Sequence, residues 1–121
     1  MNRINIIRVY DPQKTDGSYR VLVDRLWPRG IRKADLHLDE WNKELAPSSE
    51  LRNWFDHKPE RFEAFAQRYR EELKAKEAAL ERLRKIAETR AITLLYGARD
   101  PEINQAIVLK ALLESGGFYG E

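Results

Sequence analysis

The chain has 121 residues, room for one domain around a single hydrophobic core. With 42% hydrophobic and 35% charged residues, and no apolar run near the ~18 needed for a membrane span, it reads as a cytoplasmic globular protein. It has no cysteine, which excludes disulfides, thiol catalysis and zinc–thiolate sites, and its net charge is only +2.

From the N-terminus, Met1 to Tyr10 lacks the apolar centre of a secretory signal, and Ile4 to Tyr10 is β-branched and bounded by Asp11-Pro12, the pattern of a first strand. A turn cluster follows at Thr15-Asp16-Gly17-Ser18. Tyr19 to Trp27 predicts a second strand, whose Val21-Leu22-Val23 centre is apolar on both faces and suits a sheet covered on two sides. The link between these strands is short for a parallel crossover, which leaves antiparallel pairing or a gap filled by another strand.

Leu36, Leu38, Trp41 and Leu45 predict a short helix from about Asp39 to Leu45, ended by Pro47. Ser48 or Ser49 then caps a helix carrying Leu51, Trp54 and Phe55, and Pro59 opens the next one. Phe62, Phe65, Ala66, Tyr69 and Leu73 form one helical stripe, expected to pack on the sheet. Leu80, Leu83, Ile86 and Ala87 continue it in nearly the same phase. One helix of ~29 residues would run ~44 Å, so a break is expected around Ala75–Glu77. Ala91 to Tyr96 predicts a buried strand. Asp100-Pro101-Glu102 has the form of a helix start, and the last helix runs to about Glu114, closed by Gly116-Gly117. Strands and helices interleave, so the fold class is α/β: one domain over residues 1–121, with a small, largely parallel sheet flanked by helices.

Two strand ends hold polar residues that a core does not explain. One is Asp24-Arg25-Leu26-Trp27-Pro28-Arg29-Gly30, the other Tyr96-Gly97-Ala98-Arg99-Asp100. In open α/β sheets ligands bind beyond the carboxyl ends of the strands, beside helix N-termini that favour anions. Arg25, Arg29 and Arg99, with Asn104, are the candidate ligand-binding residues, suited to a phosphate or carboxylate. Asp24 and Asp100 are the candidate acid–base pair. Gly97 and Ala98 would let a ligand approach the backbone closely. The two segments are expected side by side at one end of the sheet. The competing reading is that the aspartates pair with these arginines and lock two loops together.

His37 and His57 lie outside any metal-ligand spacing, and no phosphate loop, dinucleotide fingerprint or nucleophile elbow is present, so neither a metal nor a cofactor is indicated. Residues 1–33 carry eight Lys/Arg against three Asp. That basic third suits an anion or a nucleic-acid backbone, with Trp27 to stack on a base, although a solvated surface of mixed sign gives the same counts.

Arg8-Val9-Tyr10-Asp11, the run from Arg20 to Gly30, Asp39-Glu40-Trp41, Leu45-Ala46-Pro47-Ser48 and Leu51-Arg52 with Trp54-Phe55 together resemble the YeaO-like family of bacterial proteins, a domain of unknown function. Arg68-Tyr69, Thr93 to Tyr96, Ala98-Arg99-Asp100 and Asn104-Gln105-Ala106 extend the likeness over nearly the whole chain. The resemblance implies a compact cytoplasmic α/β domain and no particular reaction. Longer members place Cys and His near the end of the last strand, where this chain has Tyr96, Arg99 and Asn104, so no thiol chemistry carries over. Three functions compete: a binder of a small phosphorylated or nucleotide-like anion with carboxylate acid–base chemistry, a nucleic-acid-binding module, and a non-catalytic interaction domain. Oligomeric state is left open.

Overall fold

The structure, a computed structural model, describes residues 3–13 and 16–116, so the expectations for Met1, Asn2, Thr15 and Gly117 fall outside it. Four strands, β1 (Ile4–Arg8), β2 (Tyr19–Leu22), β3 (Glu40–Trp41) and β4 (Ile92–Tyr96), form one sheet in the order β1-β4-β2-β3. Every pairing is parallel. The short link between β1 and β2 is explained by a gap: β4 lies between them, with Ile92 opposite both Ile4 and Tyr19. The first two strands end earlier than expected because the chain bends away, although the ladder reaches one residue further through Val9 N–H to Tyr96 O and Val23 N–H to Leu95 O.

Successive residues of the inner strands serve opposite faces, as a period of two requires. Val21, Val23, Ile92 and Leu94 enter the larger core with the helices α2 (Ser49–Phe55), α3 (Phe62–Leu73), α4 (Glu77–Ala87) and α5 (Gln105–Ser115). Leu22, Leu95 and Val9 enter a smaller core with Leu36 of α1 (Lys33–Leu36), against which Trp27, Ile31 and Trp41 pack.

The helix expected at Asp39–Leu45 is not formed. Glu40 and Trp41 instead pair with Val21 and Leu22, and Asn42 N–H donates to Leu22 O, because the exposed edge of β2 needs a partner for its backbone groups. The preceding turn is α1, whose Leu36 and His37 carbonyls accept hydrogen bonds from the buried Arg20 guanidinium.

Ser48 caps α2 by accepting from Leu51 N–H, and its own hydroxyl and amide are held by Glu72. Pro59 opens a 3-10 turn that leads into α3. The expected break in the long helical stretch is a 3-10 turn at Lys74–Lys76. The aromatic stripe packs within the larger core, where Phe65 stacks between Phe55 and Tyr69, and Tyr69 donates to Leu45 O. Its partners are α2 and α5 in the first instance.

The last helix also departs from expectation. Residues 101–104 bend, and α5 starts at Gln105 with Asn104 as its cap. Asp100 Oδ1 accepts from Glu102 N–H, a local turn that competes with helix, while the buried Asn104 accepts from Ile107 N–H and donates to Asp100 O. At the far end Gly116 takes the left-handed conformation (φ 84°) that closes the helix.

Candidate functional site

The strands β2 and β4 run parallel, so their carboxyl ends and the loops after them fall at the same end of the sheet. There the segments 24–30 and 97–105 lie side by side around a cleft of about 1100 Å³. Asp24, Arg25, Arg29, Arg99, Asp100 and Asn104, the six residues singled out in the sequence, all line it.

Asp24 is the centre of the contact between the two loops. Its Oδ2 accepts the amide N–H of Gly97 at 2.9 Å, and its Oδ1 accepts from Gln105 Nε2 at 2.5 Å. Its main-chain carbonyl accepts from Trp41 Nε1 at 2.7 Å. Burial raises the Asp24 carboxyl to about 6, against the opposing effects of the Gly97 and Gln105 hydrogen bonds and the Arg52 charge. None of these influences is a second carboxylate. The small residue at 97 makes room for this carboxylate rather than for a ligand: a Cβ there would lie 2.8 Å from Asp24 Oδ2.

The other candidates sort by what holds them. Arg25 points into the protein, donating from Nε to Pro47 O at 2.9 Å and from Nη2 to Ala46 O at 3.3 Å. It ties the β2 loop to the segment before α2. Arg29 and Arg99 are exposed, and no side-chain hydrogen bond or ion pair engages either among the described residues. Asp100 is exposed and turned to Glu102, and Asn104 is committed to capping α5. The expected locking of the loops by salt bridges is absent: among the described residues no ion pair within 4.0 Å joins Asp24 or Asp100 to an arginine. The backbone and Gln105 do that work instead.

Four residues add to the cleft what the loop motifs did not reveal. Arg52 is one turn into α2, three residues before the buried Phe55 and so on the same side of the helix; its Nε is buried with no hydrogen-bond partner among the described residues. Gln105 follows the cap and reaches Asp24. Arg8 leaves β1, donates from Nε to Ala98 O at 2.8 Å and lies 4.7 Å from the centre of the Tyr10 ring. His57, in the left-handed region with φ 54°, lines the cleft beside Phe55. The signal available for Arg52 was an arginine at helical spacing from core residues. In all, five arginines and two aspartates line a cleft whose apolar walls include Leu26, Trp27, Phe55 and Phe65.

The tryptophans are held by the fold. Trp27 donates to Ile31 O and meets Trp41 edge-on with centroids 5.3 Å apart, and Trp54 lies beneath the Arg61 and Arg68 guanidinium groups. No described helix is long and apolar enough to cross a membrane. Nor do the described residues contain a cluster of three His, Cys, Asp or Glu able to hold a metal ion.

A family model described as the inactive DUF488-N3 subclade matches residues 3–116. The chain belongs to this family. Among its relatives, the uncharacterised protein YeaO of Escherichia coli K12 is 48% identical over 108 residues, covering 89% of this chain and 94% of that protein. An uncharacterised protein of Mycobacterium tuberculosis H37Rv is 47% identical over 111 residues, covering 92% and 93%. The YeaO-like resemblance read from the sequence is thereby confirmed over most of the chain. No solved structure matches.

Proposed function

We propose that this family member is a ligand-binding domain whose cleft takes a small anionic molecule without turning it over. The observation that carries this reading is the state of the cleft's arginines. Arg29 and Arg99 are exposed at the cleft, and among the described residues no side-chain hydrogen bond or ion pair engages either. Guanidinium groups at the rim supply charge-assisted contacts to phosphate or carboxylate.

Binding without turnover is supported by the way the protein itself engages the two candidate carboxylates. Asp100 faces its own turn, and both oxygens of Asp24 already accept hydrogen bonds from the protein. The description of the family as an inactive subclade points the same way.

Thermal melts with inorganic phosphate and sulfate test the reading. A ligand that prefers the folded state raises the melting temperature by mass action. We expect a saturable rise with phosphate that is weakened by Arg29→Ala or Arg99→Ala. No rise in the wild type at millimolar phosphate would overturn the proposal.

A further inference from the structure

Among the described residues only two large hydrophobic side chains are left exposed, Tyr10 at 43% and Leu26 at 59%, and both line the same cleft as the exposed Arg29 and Arg99. A single exposed leucine is ordinary, but two such side chains beside two exposed guanidinium groups make a surface that is apolar and cationic at once. A chain of contacts sets Tyr10 between the two arginine-bearing loops. Its hydroxyl donates to Arg29 O at 2.8 Å. The Arg8 guanidinium lies 4.7 Å from its ring centre and donates from Nε to Ala98 O, one residue before Arg99. Arg8 takes one side of the ring, and the exposed remainder is open to the cleft. Leu26 stands on the same loop as Arg29, three residues before it. A bare inorganic anion on the two arginines would leave Tyr10 and Leu26 in water. An anion that carries a flat apolar group would cover them as well.

Resting on the anion-binding reading above, we infer that the ligand is an aromatic anion, a phosphate or carboxylate joined to a ring, with the charged group on Arg29 and Arg99 and the ring against Tyr10 and Leu26. The Tyr10 ring offers a stacking partner and Leu26 offers purely apolar surface, so this part of the site selects for a flat hydrophobic body rather than for a pattern of polar atoms. Tyr10 is fixed by the Arg29 carbonyl and Arg8 by the Ala98 carbonyl, so the stacking surface is in place before a ligand arrives and little is lost in ordering it.

The experiment is calorimetric titration of the full chain with two pairs of ligands, phenyl phosphate against methyl phosphate and benzoate against acetate. Within the pair whose charged group the site prefers, the aromatic member should bind at least about tenfold more tightly, since burying roughly 60 Å² of apolar surface is worth about that factor. Leu26→Ser should cut the preference to about threefold or less while leaving the affinity for the small member unchanged. Its side chain is exposed, so the variant should melt as the wild type does. Arg99→Ala should weaken both members of the pair alike. Equal affinity within both pairs, or a preference untouched by Leu26→Ser, would overturn this inference and leave the anion-binding reading intact. Failure of all four ligands to bind would overturn both.

Discussion

Gly97 donates its amide N–H to Asp24 Oδ2 at 2.9 Å, and a methyl group on residue 97 would come within 2.8 Å of that same oxygen. The two strand ends approach each other only because one of them ends in a residue without a side chain. The contact is thus steric permission and hydrogen bond at once, and it aligns both loops of the cleft. Gly97→Ala should push the carboxylate off its amide and lower stability by about 1–3 kcal/mol, as overpacking does in a filled site. Denaturant unfolding checks this, and an unchanged midpoint would show that the loops are held elsewhere.

Asp24 predicts a specific pH dependence. Its carboxyl is raised from 3.8 in the unfolded chain to about 6 in the folded protein. The folded state therefore binds the proton more tightly between those values. The resulting stabilisation is full below about 3.8 and is lost as pH rises through about 6, amounting to about 3 kcal/mol. Asp24→Asn removes this contribution, and its amide can still accept from Gly97 while donating to Gln105 once that amide turns over. The difference in unfolding free energy between wild type and Asp24→Asn should move by about 2.4 kcal/mol in favour of the variant from pH 4 to pH 7.5. A flat difference would mean the carboxyl is not desolvated.

The cleft arginines should separate by stability. Arg25→Ala deprives the Pro47 and Ala46 carbonyls of their donor and should cost about 1–2 kcal/mol. Arg29→Ala and Arg99→Ala should change stability by less than about 0.5 kcal/mol, since both side chains are exposed and, among the described residues, unengaged. Thermal melts of the three variants without ligand distinguish the structural arginine from the rim pair.

At the opposite end of the molecule Arg84 of α4 donates to the Leu112 and Leu113 carbonyls at the end of α5, and pairs at 3.1 Å with both Glu77 and Glu81. The carbonyls are buried contacts, whereas the glutamates are largely exposed. Arg84→Ala should therefore cost about 1–3 kcal/mol, and Glu77→Gln with Glu81→Gln together less than about 1 kcal/mol. Equal costs in chemical denaturation would mean that the ion pairs, rather than the helix-end contacts, fasten α4 to α5.

Phe65 lies in the stacked column with Phe55 and Tyr69 and also lines the cleft. Phe65→Ala should cost about 3–5 kcal/mol as a large-to-small core substitution. A melt unaffected by it would place the ring outside the core.

What could be read along the chain was whatever local chemistry repeats or interrupts. Val21-Leu22-Val23 and Ile92 to Leu95 are buried strands because apolar residues on both faces leave no other stable place for them. Ser48 and Gly116 end helices as their backbone preferences dictate. The loops at Asp24 and Gly97 were legible because polar residues directly after a buried strand have no core to enter. The helix misplaced at Asp39–Leu45 lost to a longer-range demand, the open edge of β2, whereas the start misplaced at Asp100 lost to a local turn in which Asp100 accepts from Glu102 N–H and the buried Asn104 takes over the cap.

The amino-acid sequence by itself determined the α/β class, the family and which six polar residues follow the two buried strands, because periodicity, punctuation and motif are properties of neighbours in the chain. Only the tertiary structure decided what each of the six does. It turned Arg25 inward to two carbonyls, left Arg29 and Arg99 exposed, committed Asn104 to a cap, faced Asp100 to its own turn and buried Asp24 against Gly97 and Gln105. It also brought in Arg52 from a helix far along the chain. Hydrogen-bond partners and burial are set by packing between segments distant in sequence, and no local pattern encodes which of several arginines will find a carbonyl and which will face an open cleft.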